Sequence, residues 1–256
     1  MPASALPALE TLTPAIVIRA RAFGESDKIV TFLTRDLGKI AGIAKGAKRS
    51  RRRFVNVLEP FTHVDVRLRQ RPHGDLAFVV ACELRDAFHT FARDLAKFAH
   101  ASYVLELADR MVGGREAGRE TYELVRDALA RLDRAPAEAG VLRAFELQLL
   151  GLTGYEPPLD RCRGCALAVA DAAQVFVHPA RGGVFCARCR GEGRTVVASR
   201  ATLERLAALQ RARFDGDPAL FTLPPGISAE ARAVVRCFLS GTLTAPLASE
   251  RLLDEA

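Results

Sequence analysis

Two pairs of cysteines constrain this chain more than any other sequence feature. The motif Cys162-Arg-Gly-Cys165 is followed, after 20 further residues, by Cys186-Ala-Arg-Cys189. Two C-x-x-C pairs at this separation predict one site in which four thiolates hold a tetrahedral metal ion, most often zinc. Valine and phenylalanine residues between the pairs, interrupted by Gly182-Gly183, predict a β-hairpin. We therefore interpret the segment 159–194 as a zinc ribbon.

A catalytic metal site is a weaker interpretation of the same cysteines. Catalytic zinc keeps three protein ligands and one open position, whereas four cysteines close the coordination shell. A zinc deaminase needs a His-x-Glu or Cys-x-Glu motif beside its C-x-x-C pair, and none of the five histidines is followed by such a glutamate. We predict one structural metal ion and no catalytic residues; the sequence does not distinguish zinc from iron.

The residues around the metal motifs have plain structural interpretations. The remaining cysteines, Cys82 and Cys237, lie in apolar segments and are predicted to be buried small hydrophobic residues. Four thiolates and one Zn²⁺ leave a formal charge of about −2, and the flanking arginines are expected to offset it. Contact with DNA is the alternative role for these arginines, which are Arg161, Arg163, Arg188 and Arg190.

No apolar run in the chain approaches the roughly 18 residues needed to span a bilayer. The segment 1–14 lacks the basic start and apolar stretch of a secretory signal. We therefore expect a cytoplasmic, nucleoid-associated protein with no membrane partner. Thiols stay reduced in that compartment, which favours metal binding over disulfide formation.

The spacing of apolar residues changes near residue 86. From Pro14 to Leu84 it has period 2, and turn residues divide the segment into about five short strands. From Ala87 onward apolar residues recur at helical intervals of three, four and seven. We predict an α+β fold, with an OB-fold β-barrel over 1–85 and an α-helical domain over 86–256 into which the zinc ribbon is inserted.

The same periodicity predicts which residues share a face. The first strand is expected to alternate so that one face carries Ile16, Ile18 and Ala20. The first helix is expected to bury one apolar stripe, which consists of Phe91, Leu95, Phe98, Ser102, Leu105 and Val112. The last long helix is predicted from Ser228 to Ser240, with Ser228 in its N-cap region and Glu230 nearby.

Excess positive charge is confined to the first third of the chain. Residues 1–80 hold 14 basic and 7 acidic residues, whereas residues 81–256 hold 23 of each. Six cations fall within the nine residues from Lys45 to Arg53, with no acidic residue among them. Local positive density favours binding to phosphate backbones, because neutralised phosphates release their counterions. A merely solvated loop is the alternative interpretation of this run.

The predicted DNA-binding residues are these six cations and five others in the barrel segment. Gly46 and Ser50 are expected to keep the loop flexible, so that its side chains can follow a phosphate track. Phe54 and Phe61 are weaker candidates for base stacking, because aromatic residues beside strands more often belong to the core. The full set is Lys28, Lys39, Lys45, Lys48, Arg49, Arg51, Arg52, Arg53, Arg67, Arg69 and Arg71.

Three blocks of this sequence, in this order, resemble the bacterial RecO family. The first includes Arg21-Ala-Phe-Gly-Glu-Ser-Asp27 and Ala44-Lys-Gly-Ala47, with phenylalanine at 23 where the family frequently has tyrosine. The second, Phe145-Glu-Leu-Gln-Leu-Leu150 with Gly154-Tyr155-Glu-Pro157, leads into the first cysteine pair. The third is Gly182-Gly183 before the second pair. The four-cysteine site is not universal in that family.

The resemblance implies a recombination mediator of RecF-pathway DNA repair that is not an enzyme. It implies binding of single- and double-stranded DNA, strand annealing, a partnership with RecR, contact with the acidic C-terminal tail of single-stranded DNA-binding protein, and help in loading RecA. None of these partners follows from composition. The main alternative from the residues alone is an RNA-binding zinc-ribbon and OB-fold factor in RNA processing or translation. A metal-dependent nuclease or deaminase ranks third.

Overall fold

The computed structural model describes residues 10–70, 76–114, 118–179 and 181–255. The chain divides into two compact units, Met1–Arg93 with Val112–Leu129 and Asp94–Met111 with Ala130–Ala256. Strands dominate the first part of the chain and helices the second, so the predicted α+β fold is confirmed. The predicted domain limits of 1–85, 86–256 and 159–194 stay a prediction.

The first unit contains a closed five-stranded barrel in the order β1-β2-β3-β5-β4. Neighbouring strands are antiparallel except β3 and β5, which are parallel. At this parallel contact a Cβ on Gly42 would lie 2.7 Å from Cγ2 of Val79, so only glycine lets β3 approach β5. The strands are β1 (Glu10–Phe23), β2 (Asp27–Thr34), β3 (Gly38–Ala44), β4 (Thr62–Arg69) and β5 (Leu76–Ala87).

The alternation expected on β1 is interrupted by a β-bulge. The register with β2 shifts between Val17 and Arg19, so Val17 and Ala20 both face the barrel core. The expectation that Ile16, Ile18 and Ala20 share one face is therefore wrong, because a bulge inserts one residue and resets the two-residue period. The pairing of β4 with β5 shifts twice more, between His63 and Val64 and between Arg67 and Leu68. Strands β2 and β3 pair without a shift, and the barrel core takes Val30 and Phe32 from β2.

Six helices follow, and none of those described is long and apolar enough to cross a membrane. Residues 119–129 of α2 belong to the barrel unit. In the second unit, α3 packs against α1, α4 and α5, and α1 also packs against α6. The helices are α1 (Leu95–Met111), α2 (Arg119–Arg134), α3 (Ala139–Leu152), α4 (Arg200–Gln210), α5 (Pro225–Leu239) and α6 (Ser249–Glu255).

Helix α1 and its flanks bury only part of the predicted stripe, since Phe91, Leu105 and Val112 are buried as expected. Leu95 and Phe98 are exposed, whereas Tyr103 is buried and its hydroxyl donates to the carboxylate of Glu146 at 2.5 Å. That carboxylate is fully buried and also accepts from Arg143 at 2.8 Å. The burial of Tyr103 was not predicted, because a buried tyrosine needs a hydrogen-bond partner and the sequence of α1 does not show that α3 provides one.

Helix α5 begins at Pro225, three residues before the predicted start. Proline suits the first helical turn because its missing N–H would have no partner there. Ser228 therefore lies inside the helix, and the prediction that it caps the helix is wrong. Glu230 serves another helix: its carboxylate accepts from the hydroxyl groups of Ser199, at 2.8 Å, and Thr202, at 2.7 Å, where α4 begins.

The cysteine-rich segment forms a small three-stranded sheet. Strands β6 (Val175–Val177) and β7 (Val184–Cys186) pair as an antiparallel hairpin, so the predicted hairpin is confirmed. A third strand, β8 (Val196–Ala198), pairs with the other edge of β6 and was not predicted. The sheet packs against α5 through β6 and β8.

Candidate metal centre and nucleic-acid interface

The four cysteines of the two motifs lie together in space. Their sulfur atoms are all within 4.8 Å of one another, and Sγ of Cys165 is 3.8 Å from Sγ of Cys186. Four sulfurs held about 2.3 Å from one zinc ion lie ~3.8 Å apart in a tetrahedron. The donor set of Cys162, Cys165, Cys186 and Cys189 thus fits a tetrahedral metal such as zinc in number, chemistry and spacing.

Backbone amides converge on the first cysteine of the site. The N–H groups of Gly164 and Cys186 both donate to Sγ of Cys162 at 3.4 Å. Burial raises the pKa of the Cys162 thiol, but the amides of Cys186, Cys165 and Gly164 outweigh burial and lower this pKa to about 6. The amide of Leu167 likewise lowers the pKa of Cys165. A lowered thiol pKa favours the thiolate, which is the form that binds metal ions.

The fourth cysteine shows the effect of placing four thiols so close together. Hydrogen bonding with Cys165 and Cys186 raises the pKa of the Cys189 thiol to about 12. Several thiolates this close together repel one another, so some of them stay protonated unless a positive charge stabilises them. A divalent metal ion supplies that charge, and the ligand thiols give up their protons on binding it.

The flanking arginines do not act as one group. The guanidinium of Arg188 hydrogen-bonds the sulfurs of Cys165 and Cys189, which raises the pKa of this arginine. Each of the others has a different partner: Asp160 for Arg161, the carbonyl of Gly182 for Arg163, and the ring of Phe176 for Arg190. The expectation that all four offset the thiolate charge is corrected, and only Arg188 is placed against the sulfurs among the residues described.

Gly164 is required by a close approach and not by a tight turn. A Cβ at this position would lie 2.8 Å from Cβ of Cys189 and 3.1 Å from its Sγ. The left-handed backbone conformation belongs instead to Ala166, the residue directly after this motif, with φ of 60°. The two cysteine motifs therefore approach each other through the space that the missing glycine side chain leaves open.

The segment from Lys45 to Arg53, here called the basic loop, follows β3 directly and carries the six cations. The N–H of Lys48 donates to the carbonyl of Ser26 at 2.9 Å, and its Nζ donates to the carbonyl of Gly24 at 2.8 Å. The N–H of Gly46 donates to the carboxylate of Asp27 at 2.8 Å, which lowers the pKa of Asp27. The basic loop is thus clamped to the β1–β2 turn, which corrects the expectation of a flexible loop.

The connection from β3 to β4 is also anchored from inside the barrel. Four of its residues join the barrel core, and Phe54 is 4% exposed, so Phe54 is a core residue and not a stacking platform. The guanidinium of Arg53 lies 4.9 Å from the Phe54 ring centroid and donates to the carbonyl of Lys45 at 2.9 Å. The four core residues are Ala47, Phe54, Val57 and Leu58.

This anchoring divides the six cations into two groups. Lys48 and Arg53 hold the loop in place, and Nζ of Lys45 lies 5.8 Å from the ring centroid of Phe78. The other three are exposed, and their side chains form no hydrogen bond or ion pair with any described residue. These three are Arg49, Arg51 and Arg52.

Two of the other predicted DNA-binding residues are ion-paired. Nζ of Lys28 is 2.5 Å from the carboxylate of Glu59. The guanidinium of Arg69 is 2.7 Å from the carboxylate of Glu10 on the neighbouring strand. A phosphate would have to compete with these carboxylates, so both cations are weaker candidates than the three unpaired arginines.

Of the last three predicted residues, Lys39 and Arg67 lie in the described part of the chain. Lys39 lies near the start of β3 and Lys45 directly after its end, which separates them by ~20 Å at about 3.3 Å per residue. Arg67 is exposed on β4. Arg71 lies outside the described residues. The predicted set therefore does not form one patch, and its densest part is the basic loop.

Arg19 and Arg21 were missed as candidate DNA-binding residues. Both are exposed on β1. In the barrel register Arg21 pairs with Ile29 of β2, and Ile29 pairs with Ile43 of β3, two residues before Lys45. Two arginines at alternate positions of one strand were the available signal, because alternate residues share a face.

Comparison with known proteins identifies relatives of both parts of the chain. The family model for "Recombination protein O N terminal" matches residues 9–88, and that for "Recombination protein O C terminal" matches residues 92–251. The DNA repair protein RecO of Anaeromyxobacter sp. (strain Fw109-5) is 38% identical over 242 residues, which cover 94% of each chain. The protein of the same name from Symbiobacterium thermophilum is 35% identical over 246 residues, covering 93% of this chain and 94% of the relative.

Proposed function

The chain belongs to the RecO family of DNA repair and recombination proteins, and we propose that it binds single- and double-stranded DNA through the basic loop of its barrel. It acts by holding strands and not by catalysis. Cations that neutralise two phosphate backbones lower their mutual repulsion, which lets complementary strands anneal. Such contacts supply affinity with little sequence specificity.

The arginine trio of the basic loop carries this proposal. Arg49, Arg51 and Arg52 are exposed and without a described partner, while Lys48 and Arg53 fix the backbone between them. A preordered loop loses little backbone freedom when it binds phosphates, and its unpaired guanidinium groups have no ion pair to break first. Arginine also forms bidentate hydrogen bonds to phosphate oxygens.

The test compares two variants that lose the same charge. In the first, Arg49, Arg51 and Arg52 are changed to alanine, which leaves the anchoring residues Lys48 and Arg53 in place. We expect weaker binding to single- and double-stranded DNA and slower annealing. The control changes three exposed arginines of the second unit to alanine and should bind DNA like the wild type. The control residues are Arg200, Arg211 and Arg251.

The outcome separates the possible locations of the DNA. If the control variant loses binding and the basic-loop variant does not, the DNA lies on the second unit and the proposed site is wrong. Equal losses in both variants would show that net charge and not the loop determines affinity. Stronger binding to structured RNA than to DNA would favour a role in RNA processing over DNA repair.

We further propose that the four cysteines hold one structural Zn²⁺. Cys162, Cys165, Cys186 and Cys189 leave no ligand position for substrate, and the amides on Cys162 stabilise its thiolate. The bound metal would supply charge neutralisation and a covalent cross-link between the two motifs. The metal content of the purified protein tests this: one zinc per chain is expected, and iron or no metal would contradict it.

The proposed protein partners are RecR, the acidic C-terminal tail of single-stranded DNA-binding protein and, indirectly, RecA. The proposal for these partners rests on family membership, and the proposed location is the cytoplasm at the nucleoid. The rate at which RecA assembles on DNA coated with single-stranded DNA-binding protein tests it. We expect faster assembly only when this protein and RecR are both present. No acceleration would contradict the mediator role while leaving the DNA-binding proposal intact.

A further inference from the structure

Phe23, the last residue of β1, is the most exposed of the described phenylalanine and tyrosine residues in the barrel unit. Half of its surface is open to solvent, with a relative exposure of 50%. The other aromatic residues of the barrel either lie in its core, as Phe32 does, or are partly covered, as Phe78 is. Phe23 belongs to neither the barrel core nor any described ring pair, so the fold does not account for an aromatic side chain at this position.

The strand register places Phe23 on a basic face. Arg19, Arg21 and Phe23 alternate along the end of β1 and are all exposed, so they share the outer face of the barrel. Phe23 pairs with Asp27 of β2. Asp27 precedes Lys28, which pairs with Ala44 at the end of β3, directly before Lys45. Neighbouring strands lie about 4.8 Å apart, so the start of the basic loop is ~10 Å from Phe23.

The turn that follows Phe23 is joined to the basic loop. Lys48 donates from its backbone N–H to Ser26 and from its Nζ to Gly24. Two carboxylates lie in or beside this turn. That of Asp27 accepts from the amide of Gly46 and the hydroxyl of Ser26, and Glu25 is exposed within the turn. The aromatic ring and the phosphate-binding cations therefore sit on a single braced substructure.

We propose that Phe23 is a base-stacking residue for single-stranded DNA, with Arg21 and the basic loop holding the phosphates on either side of the stacked nucleotide. Proteins that bind single strands combine a cationic track with aromatic side chains, because every base offers a π face. The bases of a duplex are already stacked on one another, so Phe23 gives the barrel a preference for single strands. This inference rests on the proposed function and goes beyond it by naming the residue that recognises the base.

The first experiment uses the absence of tryptophan from the chain. The composition includes no tryptophan, so a Phe23→Trp variant reports fluorescence from this position alone. We expect its emission to be quenched by an oligothymidylate and not by an abasic oligonucleotide of the same length, which offers phosphates without bases. Quenching by neither oligonucleotide, with binding intact, would overturn the proposal.

A matched variant places the probe elsewhere on the same barrel. Leu84 of β5 is 51% exposed, nearly as much as Phe23. Leu84 pairs with Val64 of β4, and Val64 pairs with Ala15 of β1. Ala15 lies eight residues before Phe23 on the same strand. That separation is ~25 Å along the strand. A Leu84→Trp variant should show no quenching with the oligothymidylate; equal quenching in both variants would mean that the emission change is not local to Phe23.

The second experiment measures affinity with and without bases. Phe23→Ala should weaken binding to the oligothymidylate by about 5-fold or more, since stacking contributes ~1–3 kcal/mol per base. Binding to the abasic oligonucleotide should be unchanged, and Phe23→Tyr should bind like the wild type. If the wild type binds both oligonucleotides and Phe23→Ala matches it on both, only the stacking proposal fails. If the wild type binds neither, the proposed function fails first.

Discussion

The basic loop and the cysteine-rich ribbon of residues 159–194, here called the ribbon, are both rich in arginine, but the structure uses their cations in opposite ways. In the loop, Arg49, Arg51 and Arg52 have no described side-chain partner. In the ribbon, the flanking arginines bind carboxylate, carbonyl, sulfur or aromatic groups of the ribbon itself. Arg181 illustrates this, because it donates to two carbonyls and lies 4.0 Å from the ring centroid of Phe185.

This difference follows from what each segment needs to fold. The ribbon is short and has a small apolar cluster built around Cys162, Phe185 and Cys186, so its arginines supply the hydrogen bonds and ring contacts that a larger core would make unnecessary. The basic loop is held by the barrel core through Phe54 and by a clamp at Lys48. Its remaining arginines are therefore available for a ligand. Four predictions test this contrast.

Loss of the metal should have the largest effect. Cys162→Ser removes a thiolate that receives two backbone N–H groups, so we expect loss of the metal and unfolding of the ribbon, because binding free energy at such sites is folding free energy. Metal analysis and limited proteolysis within 159–194 provide the measurement. The control Cys237→Ala alters a buried thiol outside the site and should keep its metal. A Cys162→Ser protein with full metal content would refute the four-thiolate site.

Truncation of the loop anchor should have the next largest effect. Phe54→Ala should lower the free energy of unfolding by about 3–5 kcal/mol, because it leaves a cavity in the barrel core. DNA binding should weaken with it, since the loop loses its inner support. The adjacent Val55 is 51% exposed, so Val55→Ala is the matched control in urea unfolding. Equal stabilities of the two variants would show that the loop is not anchored through Phe54.

The salt dependence of DNA binding should change by a moderate amount. Each phosphate contact on single strands contributes about −0.7 to the slope of log affinity against log salt. Replacing Arg49, Arg51 and Arg52 by alanine should therefore make this slope shallower by about 2. The same measurement on a ribbon variant, Arg163→Ala with Arg181→Ala, should give the wild-type slope. A shallower slope for the ribbon variant would place DNA on the ribbon and erase the contrast drawn here.

The smallest effect is expected from a ribbon arginine on the surface. Arg161 pairs with Asp160, and both side chains are more than half exposed. Exposed ion pairs contribute little to stability because water and salt screen them. Arg161→Ala should leave the thermal midpoint, the metal content and the DNA affinity unchanged within error. Loss of DNA affinity in this variant would reveal a phosphate contact that the ion pair conceals.

The sequence predicted those features that depend on short-range patterns. Cysteine spacing predicted the cluster of four cysteines, since C-x-x-C motifs place their sulfurs within a few residues of each other. Period-2 alternation predicted that the barrel segment forms strands. Helical spacing predicted the buried face of α2, where Tyr122, Val125 and Leu129 are all buried. The same rules failed on β1, where one bulge at Ile18 changed the face of the following residues.

The predicted DNA-binding set shows where pattern rules reach their limit. Sequence located the positive charge but not its partners, so Lys28 and Arg69 were counted with Arg51 although each faces a carboxylate distant in the chain. Phe54 and Phe23 were equally available as aromatic residues near cations. Only the fold put Phe54 in the core and left Phe23 at the surface.

By itself, then, the sequence determined the cysteine donor set, the order of barrel and helices, and the location of the basic segment. Each of these depends on residues close together in the chain or on the periodicity of one element. The tertiary structure alone decided which arginines are unpaired, that the loop is clamped through Lys48 to the β1–β2 turn, and that Tyr103 faces Glu146. These depend on contacts between residues far apart in sequence, where the partner of a charge or hydroxyl is set by the folded chain.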